Sequence, residues 1–409
     1  MKYSILVLSL IMALAAGCGK AAKEEPKGIM FKDDVAFLKQ HTQVVVLSDG
    51  SGQAQIAVNP DLQGRVMTST AGGPEGLSFG WINREFIASK QNNIHMNAFG
   101  GEDRFWLGPE GGQFSIFFKK GAAFNLDNWF TPPPINEGTY DIVSQAADLI
   151  HFKKTIHLVN YSEAVFDLEL NRLVGLLDAK DVEALGIALP NGVKMVAYQS
   201  DNKITNTGAK EWTKNTGLLS IWILGMFNPS PSTTIVIPFK PGPEAEFGPV
   251  VNDAYFGKVP ADRLVIKDGL LFFSGDGKYR SKIGISPRRV KPLLGSYDAA
   301  NKVLTIAHLT IPDNAMAYVN SMWQIQDKPF GGDVVNSYND GPSAPGAKPL
   351  GPFYELESSS PAAALKPGET LGHVHTTIHF QGEEKALDQI ARQALGVGLA
   401  EIKSAFLKK

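Results

Sequence analysis

Alternation of apolar and polar residues, the pattern of a strand with one buried face, recurs along most of the chain. The segment 54–58 alternates in this way, and in 164–173 the residues Val165, Leu168 and Leu170 stand among polar neighbours. Further strand patterns cover 42–47, 65–70, 114–119, 148–159, 218–227, 233–239, 264–273, 282–285, 303–309 and 373–380. Many strands joined by turns, without intervening helices, predict an all-β, mainly antiparallel fold.

Helical spacing of apolar residues is confined to the two ends of this pattern. Residues 31–41 predict a short amphipathic helix, and 384–406 predict one long C-terminal helix that Gly396 and Gly398 weaken by about 1 kcal/mol each relative to alanine. The segments 131–138 and 329–351 are rich in Pro and Gly and are predicted to be long loops. Because no sharp change of composition divides the rest, we expect residues 31–409 to form a single domain.

Charge and composition narrow the class of partner. The 409 residues include 39 Lys and Arg and 41 Asp and Glu, a formal net charge of -2, and no long basic run. Phosphate binding needs clustered basic residues, so a nucleic-acid partner is not expected. Forty-one Gly and 25 Pro spread along the chain fit a fold with many turns.

The N-terminus has the features of an export signal. Lys2 precedes the apolar stretch 4–16, which is too short to span a bilayer core of roughly 30 Å as a helix. Cys18 is the chain's only cysteine, and it follows Ala16 and Gly17. The sequence Leu-Ala-Ala-Gly-Cys at 14–18 resembles the lipobox of bacterial lipoproteins.

That resemblance implies a signal peptide at 1–17, a lipid anchor on Cys18 and a flexible tether over 18–30, with the protein attached to a membrane of the cell envelope. A soluble secretory signal or an uncleaved anchor helix is the alternative. Gly19 and Lys20 follow the cysteine, and the absence of Asp there favours the outer membrane by the same resemblance.

The densest group of candidate binding residues lies in 97–114, where charged and aromatic side chains stand between pairs of glycines. Glycine pairs allow a ligand to approach the backbone closely. Sugar sites combine aromatic rings, which stack on C–H faces, with carboxylates, which accept hydrogen bonds from hydroxyls. Five residues of this segment are therefore candidates for sugar binding: Asn97, Glu102, Arg104, Trp106 and Glu110. The alternative is a structural corner in which Arg104 pairs with a glutamate and Trp106 belongs to the core.

Six segments together resemble the galactose mutarotase-like superfamily, in particular relatives of the aldose epimerases. They are 58–69, 100–110 (GGEDRFWLGPE), 202–208, 222–227, 354–361 (YELESSSP) and 365–370, and the match spans roughly 42–382. The resemblance implies a β-supersandwich with a carbohydrate pocket on its concave face, and an Arg near that pocket, here Arg65. Carbohydrate is therefore the expected ligand.

Aldose epimerases open and close the sugar ring with a pair of His and a late Glu. Glu355 is the nearest analogue of that Glu, and Glu357 shares its face of a strand, so we predict these two as the catalytic residues. A surface strand edge with solvated charges is the alternative. No matching His pair occurs in the expected middle strands.

Two further groups complete the predicted site. His373 and His375 lie on one face of a predicted strand together with His379, which suits a sugar pocket or a metal site, unless the strand is half exposed and its His are ordinary polar residues. Asn336, Tyr338 and Asn339 lie in the second long loop and are also candidate sugar contacts, although Asn-Asp-Gly forms a tight turn unaided. No cofactor is predicted, and a Ca²⁺ or other metal site is left open.

The common nucleophile and phosphate motifs, GxSxG, the P-loop and HExxH, are absent from the sequence. Three hypotheses follow. The first is an epimerase-like or other carbohydrate-active enzyme, the second a non-catalytic sugar-binding lipoprotein, and the third an assembly lipoprotein that kept the fold and lost the pocket.

Overall fold

The computed structural model describes residues 28–344 and 346–407. Eighteen strands and seven α-helices account for most of the ordered elements. In chain order the strands are β1 (Val45–Ser48), β2 (Gln55–Asn59), β3 (Arg65–Thr70), β4 (Arg104–Gly108), β5 (Asp141–Gln145), β6 (Leu149–Val159), β7 (Val165–Leu177), β8 (Lys194–Asn206), β9 (Ser220–Phe227), β10 (Thr233–Pro238), β11 (Leu264–Lys267), β12 (Leu270–Ser274), β13 (Ser281–Ile285), β14 (Leu293–Asp298), β15 (Val303–Leu309), β16 (Val335–Asn339), β17 (Tyr354–Ser359) and β18 (Thr370–Gln381).

The helices are short and lie mostly outside the sheets. They are α1 (Phe31–His41), α2 (Arg84–Ser89), α3 (Pro133–Asn136), α4 (Ala179–Ala184), α5 (Glu244–Phe247), α6 (Glu384–Leu395) and α7 (Leu399–Ser404). None of the helices in the described part of the chain is both long and apolar enough to cross a membrane. Cys18 and the predicted signal segment lie outside the described residues.

Two large antiparallel sheets pack face to face. One has ten strands in the order β11-β12-β10-β14-β15-β18-β8-β7-β6-β5, and the other has five in the order β13-β16-β17-β9-β4. A small sheet, β1-β2-β3, continues the five-stranded one through a bridge between Val66 and Asp103. The predicted mainly antiparallel β-sandwich is confirmed.

Each large sheet has an inner face toward the other sheet and an outer face. Alternate residues of the ten-stranded sheet, such as Ile235 and Leu294, pack inward against the five-stranded sheet. Its outer face, which includes Val236 and Ile306, is covered by α6 and α7 through residues such as Ile390. The outer face of the five-stranded sheet is instead covered by irregular segments, and it is there that charged side chains gather.

Three of the predicted strands and helices differ in the structure. Residues 114–119 form turns and bends rather than a strand, because their backbone bonds locally: the N–H of Ser115 donates to the carbonyl of Gly112, and that of Ile116 donates to the carbonyl of Pro109. The predicted strand 264–273 is the hairpin of β11 and β12. The predicted C-terminal helix is two helices, because Gly396 has φ 75° and ends α6 in the left-handed region.

Candidate functional site

The outer face of the five-stranded sheet brings a group of charged and aromatic side chains together, although they come from four separate strands. Glu357 lies opposite Leu224 of β9 and opposite Asn336 of β16, and Trp106 of β4 lies opposite Trp222 of β9. Alternation of side chains puts these residues on one face. We call six of them the outer cluster: Arg104, Trp106, Trp222, Lys282, Glu355 and Glu357.

Two ion pairs bind the cluster together across strands. Lys282 Nζ donates to Glu357 Oε2 at 2.8 Å, and the indole Nε1 of Trp222 donates to the same oxygen at 2.9 Å. Arg104 Nη2 lies 3.3 Å from Glu355 Oε1. All of these side chains are buried. Glu357 thus holds Lys282 and Trp222 together through a single carboxylate oxygen.

The proton of Glu355 is held by its surroundings. Burial and, after it, the neighbouring Glu357 raise the pKa of Glu355, Arg104 and Lys282 lower it, and the net result is a pKa of about 8. Pairing with Arg104 lowers the pKa of Glu355, whereas burial and the carboxylate of Glu357 raise it. The long contact of 3.3 Å between Arg104 Nη2 and Glu355 Oε1 indicates that burial and Glu357 have the larger effect. At pH 7 the pair thus has a protonated Glu355 beside Glu357.

Indole rings surround these charges. Four of the chain's six tryptophans, residues 106, 129, 222 and 323, lie around the site. The Trp106 and Trp222 rings meet edge to face with centroids 5.6 Å apart. Arg104 Cζ lies 4.2 Å from the Trp106 ring, and Lys282 Nζ lies 4.7 Å from the Trp222 ring. Such contacts stabilise both cations where they are out of water.

A second layer of polar groups lies beside Lys282. Tyr255 Oη donates to Asp333 Oδ2 at 2.6 Å, and Asn336 Nδ2 donates to Tyr255 Oη at 3.2 Å. Burial raises the pKa of Asp333, and burial likewise raises the pKa of Glu110, which Lys282 partly offsets. Asn336 and Glu110 therefore belong to the environment of the outer cluster, and their role as sugar contacts stays a prediction.

Several buried polar atoms of the site have no hydrogen-bond partner among the described residues. They are Arg104 Nε, Trp106 Nε1, Ser220 Oγ and Glu357 Oε1. Buried groups of this kind are normally satisfied, so unpartnered ones at a site of mixed charge indicate a place for a polar ligand or water. Of these residues, Ser220 lines a neighbouring space together with Trp222 and Lys282, and the volume of that space, about 10 Å³, admits about one water.

Two of the predicted residues lie apart from the outer cluster: Glu102 faces the inner side, and Arg65 is held by Gly100 and Gln63. Glu102 accepts from the backbone N–H of Ser69 at 2.6 Å and from Tyr198 Oη at 2.9 Å, and it lies 3.0 Å from His379 Nε2. Arg65 donates to the carbonyl of Gly100 at 2.7 Å. Glu102 therefore points to the opposite side of the sheet from Arg104 and Trp106. Strand β4 begins only at Arg104, so the alternation of side chains does not extend back to Glu102.

His373 and His375 also face inward, away from the outer cluster. Ser358 Oγ lies 2.7 Å from His373 Nε2 and 2.8 Å from His375 Nδ1. Burial lowers the pKa of His373 to about 3 and that of His375 to about 4, so both rings are neutral at pH 7. The structure separates this pair from Glu355 and Glu357 by the thickness of β17.

Three remaining candidates hold local structure. Asn97 bonds the backbone and side chain of Asn136, and Asn339 bonds the backbone around Tyr279. Tyr338 is on the outer face near Glu355 but its hydroxyl donates to Asp340 at 2.9 Å. Both Tyr338 and Asn339 belong to β16, which replaces part of the predicted loop 329–351.

Sequence reasoning missed Lys282, Trp222 and the pair of Tyr255 and Asp333. Lys282 is the first residue of the predicted strand 282–285. A lysine at a strand position that alternation predicts to be buried is the one signal that could have identified it as a site residue. Nothing in the local sequence relates Tyr255 to Asp333. Within 28–344 and 346–407, no group of three or more His, Cys, Asp or Glu side chains is arranged to hold a metal ion.

Comparison with known proteins gives a fold and a family. A family model described as a family of unknown function matches residues 29–406. None of the curated proteins matches this chain in sequence. The solved structure of the Slr1438 protein from Synechocystis sp. PCC 6803 is similar, with a TM-score of 0.51 and 12% identity over 84% of this chain and 96% of that one.

Structures described as galactose mutarotase-like are also similar to this chain, as the sequence resemblance predicted. A putative aldose 1-epimerase from Escherichia coli K12 has a TM-score of 0.46 and 12% identity over 83% of this chain and 99% of that one. A galactose mutarotase-like protein from Lactobacillus casei has a TM-score of 0.45 and 10% identity, over 83% of this chain and 100% of that one. At such identities the likeness extends to the fold alone.

Proposed function

The chain belongs to the family of unknown function DUF6786, and from that starting point we propose that the outer cluster is a carbohydrate site. The observation that carries the proposal is the set of buried polar atoms without partners beside indole rings: Arg104 Nε, Trp106 Nε1, Ser220 Oγ and Glu357 Oε1. A sugar hydroxyl both donates and accepts, so it can satisfy an N–H of Arg104 or Trp106 and the free oxygen of Glu357 together. Indole faces supply the apolar surface on which a sugar ring stacks.

The glutamate pair gives the site chemistry as well as affinity. Glu355, with a pKa of about 8, holds a proton at pH 7 that it can donate to a ring or leaving oxygen. Glu357 has one oxygen free to accept a proton from a hydroxyl. A proton donor beside an oxygen that can accept a proton is what acid–base catalysis requires. We therefore propose an epimerase-like or related carbohydrate-active enzyme.

Ligand entry requires movement of the cover. The space of about 10 Å³ is far below the roughly 300 Å³ of a typical ligand pocket. Trp323 and Tyr255 are partly exposed and lie over the site, so their segments are the ones we expect to open. Binding should therefore change the environment of Trp323 directly.

Tryptophan fluorescence tests the binding step, because four of the six indoles lie around the site. We expect titration with mono- and oligosaccharides to change the emission for at least one sugar. Trp222→Phe should weaken that sugar at least tenfold, whereas Trp212→Phe, a matched change at a residue packed on Phe166 in the core, should not. Equal affinity of both variants, or no response to any sugar, would remove the outer cluster as the site.

The catalytic step is tested on the sugar that binds. Anomer exchange followed by NMR should fall by about 10²-fold or more in Glu357→Gln, because one general acid or base contributes roughly 10²–10⁴-fold. Sugar affinity should be retained. Glu163→Gln, at an exposed carboxylate, is the control. The rate should also fall as pH rises through about 8, where Glu355 loses its proton.

A non-catalytic sugar-binding protein is the second candidate. It is favoured by the inward position of His373 and His375, which leaves the outer cluster without either of these histidines. If Glu357→Gln binds sugar as the wild type does and neither protein exchanges anomers or cleaves oligosaccharides, this second function is the better account.

We also propose that the protein is exported and anchored through Cys18, with the outer membrane as its location. The support is the apolar segment 4–16 followed by the lipobox-like 14–18. Labelling of cells with a fatty-acid probe should mark the wild type and not Cys18→Ala. Labelling of both would contradict the anchor, and recovery of the wild type in the inner-membrane fraction would contradict the location.

A further inference from the structure

A second cavity lies between the two sheets, on the side of β17 opposite the outer cluster. Its volume is about 220 Å³. That exceeds the ~150 Å³ apolar cavity that is known to hold benzene. The cavity is open to solvent at one end, so a small molecule can enter it. The cavity extends from the exposed Ile29 inward to the buried Thr305 and His379.

Aromatic rings form the inner wall of this inter-sheet cavity. Phe79 stacks on His379 with ring centroids 4.5 Å apart, and Phe227 meets His379 edge-on at 5.5 Å. Tyr354 lies beside Phe227 at 5.5 Å. Several ring faces around one space suit an apolar ligand and, because the faces carry negative charge density, a cationic one.

The lining includes two amide oxygens that accept no hydrogen bond within the described part of the chain. Asn228 donates its amide hydrogens to the carbonyls of Ser78 and Gly80, and its side-chain oxygen has no donor among the described residues. Asn301 donates to Asp298 Oδ2 at 2.7 Å, and its side-chain oxygen is likewise open within the described chain. A ligand that donates hydrogen bonds or carries positive charge would satisfy these oxygens.

Asp298 supplies the charge. It lines the cavity, is buried, and has neutral donors on its oxygens, Ser230 Oγ and the Asn301 amide. Its other donors are the backbone N–H groups of Ala300 and Asn301, so none of its donors among the described residues is a Lys or Arg, and no Lys or Arg lines the cavity. Hydrogen bonds stabilise a buried carboxylate, but a neighbouring cation would do so further.

From these contacts we infer that the inter-sheet cavity binds a small organic cation, an amine or quaternary ammonium group, between the rings of Phe79, Phe227 and Tyr354 and the carboxylate of Asp298. The site is separate from the outer cluster, because Tyr354 and Glu355 are successive residues of a strand and point to opposite faces. The inference is independent of the proposed carbohydrate function.

Two probes of the same shape test the role of charge. Choline and its uncharged counterpart 3,3-dimethyl-1-butanol differ in one atom, nitrogen against carbon. Calorimetric titration of the whole chain should show choline binding at least tenfold more tightly than the alcohol. Equal binding of the two would mean an ordinary apolar cavity, and no binding of choline would equally overturn the inference.

Matched variants locate the bound cation. Asp298→Asn should weaken choline at least tenfold and leave the alcohol unchanged, whereas Asp268→Asn, at an exposed carboxylate, should change neither. Glu357→Gln in the outer cluster should also leave choline unchanged. Loss of choline binding in Glu357→Gln but not in Asp298→Asn would assign the cation to the outer cluster and overturn the inference.

A second variant is needed in case Asp298→Asn does not fold, since Asp298 also accepts from the backbone of its turn. Phe79→Leu keeps an apolar side chain and removes one aromatic face. We expect it to weaken choline at least threefold and the alcohol less. An equal effect on the two probes would show that the ring contributes only apolar surface and would contradict cation recognition.

Discussion

Glu355 lies between Arg104 and Glu357, and its proton is decided by the balance of burial with these two neighbours. In a short exposed strand the same residue would be an ordinary ionised glutamate. Burial in a low-polarity site disfavours the charged form, and a second carboxylate on the same face of the strand adds to that effect. The protonation state of this glutamate is therefore set by where it lies in the fold.

This balance predicts how stability depends on pH. The pKa of Glu355 is raised to about 8 in the folded chain from 4.5, so the stability it contributes is fully present below about 4.5 and is lost as pH rises through about 8. Between pH 5 and pH 8.5 we expect the free energy of unfolding to fall less in Glu355→Gln than in the wild type, with a difference on the order of 3 kcal/mol. Urea unfolding at the two pH values measures it. Parallel profiles for the two proteins would show that Glu355 titrates normally.

The buried pair of Arg172 and Asp103 gives a second prediction at this scale. Arg172 Nη2 lies 2.6 Å from Asp103 Oδ1, and neither side chain is exposed. We expect Arg172→Met to lower the free energy of unfolding by roughly 3–5 kcal/mol, because it leaves a buried carboxylate without its cation. Lys120→Met removes the exposed partner of Glu163 and should cost no more than about 0.5 kcal/mol. Similar losses in the two variants would contradict this explanation.

Strands with a local pattern of apolar or β-branched residues were predictable, because such a pattern is a property of neighbouring residues. The predicted strands at 42–47, 54–58, 65–70, 148–159 and 233–239 correspond to β1, β2, β3, β6 and β10. Strand β16 was not predictable in the same way, since all five of its residues are buried and three of them, Asn336, Ser337 and Asn339, are polar. The segment is a strand because it pairs with β13 and β17, and the local sequence pattern does not indicate that pairing.

The candidate site shows the same limit. Glu355, Glu357, Arg104 and Trp106 could be singled out from two short segments, but the ion pair of Lys282 with Glu357 joins residues 75 positions apart. Residues such as Glu102, which precede a strand, turned inward because pairing with Ser69 and Tyr198 decides their direction. Sequence pattern identifies candidate residues, and register between distant strands decides which of them meet.

The end of α6 offers a test of an element boundary. Gly396 has φ 75°, and a Cβ there would meet nothing within 4 Å, so its effect is confined to the backbone. We expect Gly396→Ala to lower the free energy of unfolding by about 1 kcal/mol. Gly50→Ala is the matched control, because that glycine has equal space and no positive φ, and it should be neutral or slightly stabilising. Thermal unfolding of both variants checks this, and an unchanged midpoint for Gly396→Ala would contradict it.

Across the whole molecule, stability is expected to be uneven along the ten-stranded sheet. Strand β8 pairs on both sides, with β7 and β18, whereas β5 is an edge strand that pairs only with β6 and has all five residues exposed. Local opening requires less free energy where fewer contacts are lost. We expect amides of 141–145 to exchange with solvent much faster than those of 194–206. Equal protection, measured by mass spectrometry, would indicate that another chain covers the β5 edge.

Both faces of strand β17 contribute side chains to a proposed site. Glu355 and Glu357 face the outer cluster, while Tyr354 and Ser358 face the inter-sheet cavity and the inner His pair. A strand with one free face alternates between positions that tolerate substitution and positions that do not. Strand β17 has no free face, so a scan of all single substitutions should give an unbroken block of intolerant positions over 354–358. A one-residue deletion there would exchange the two sets of side chains and abolish both sites at once.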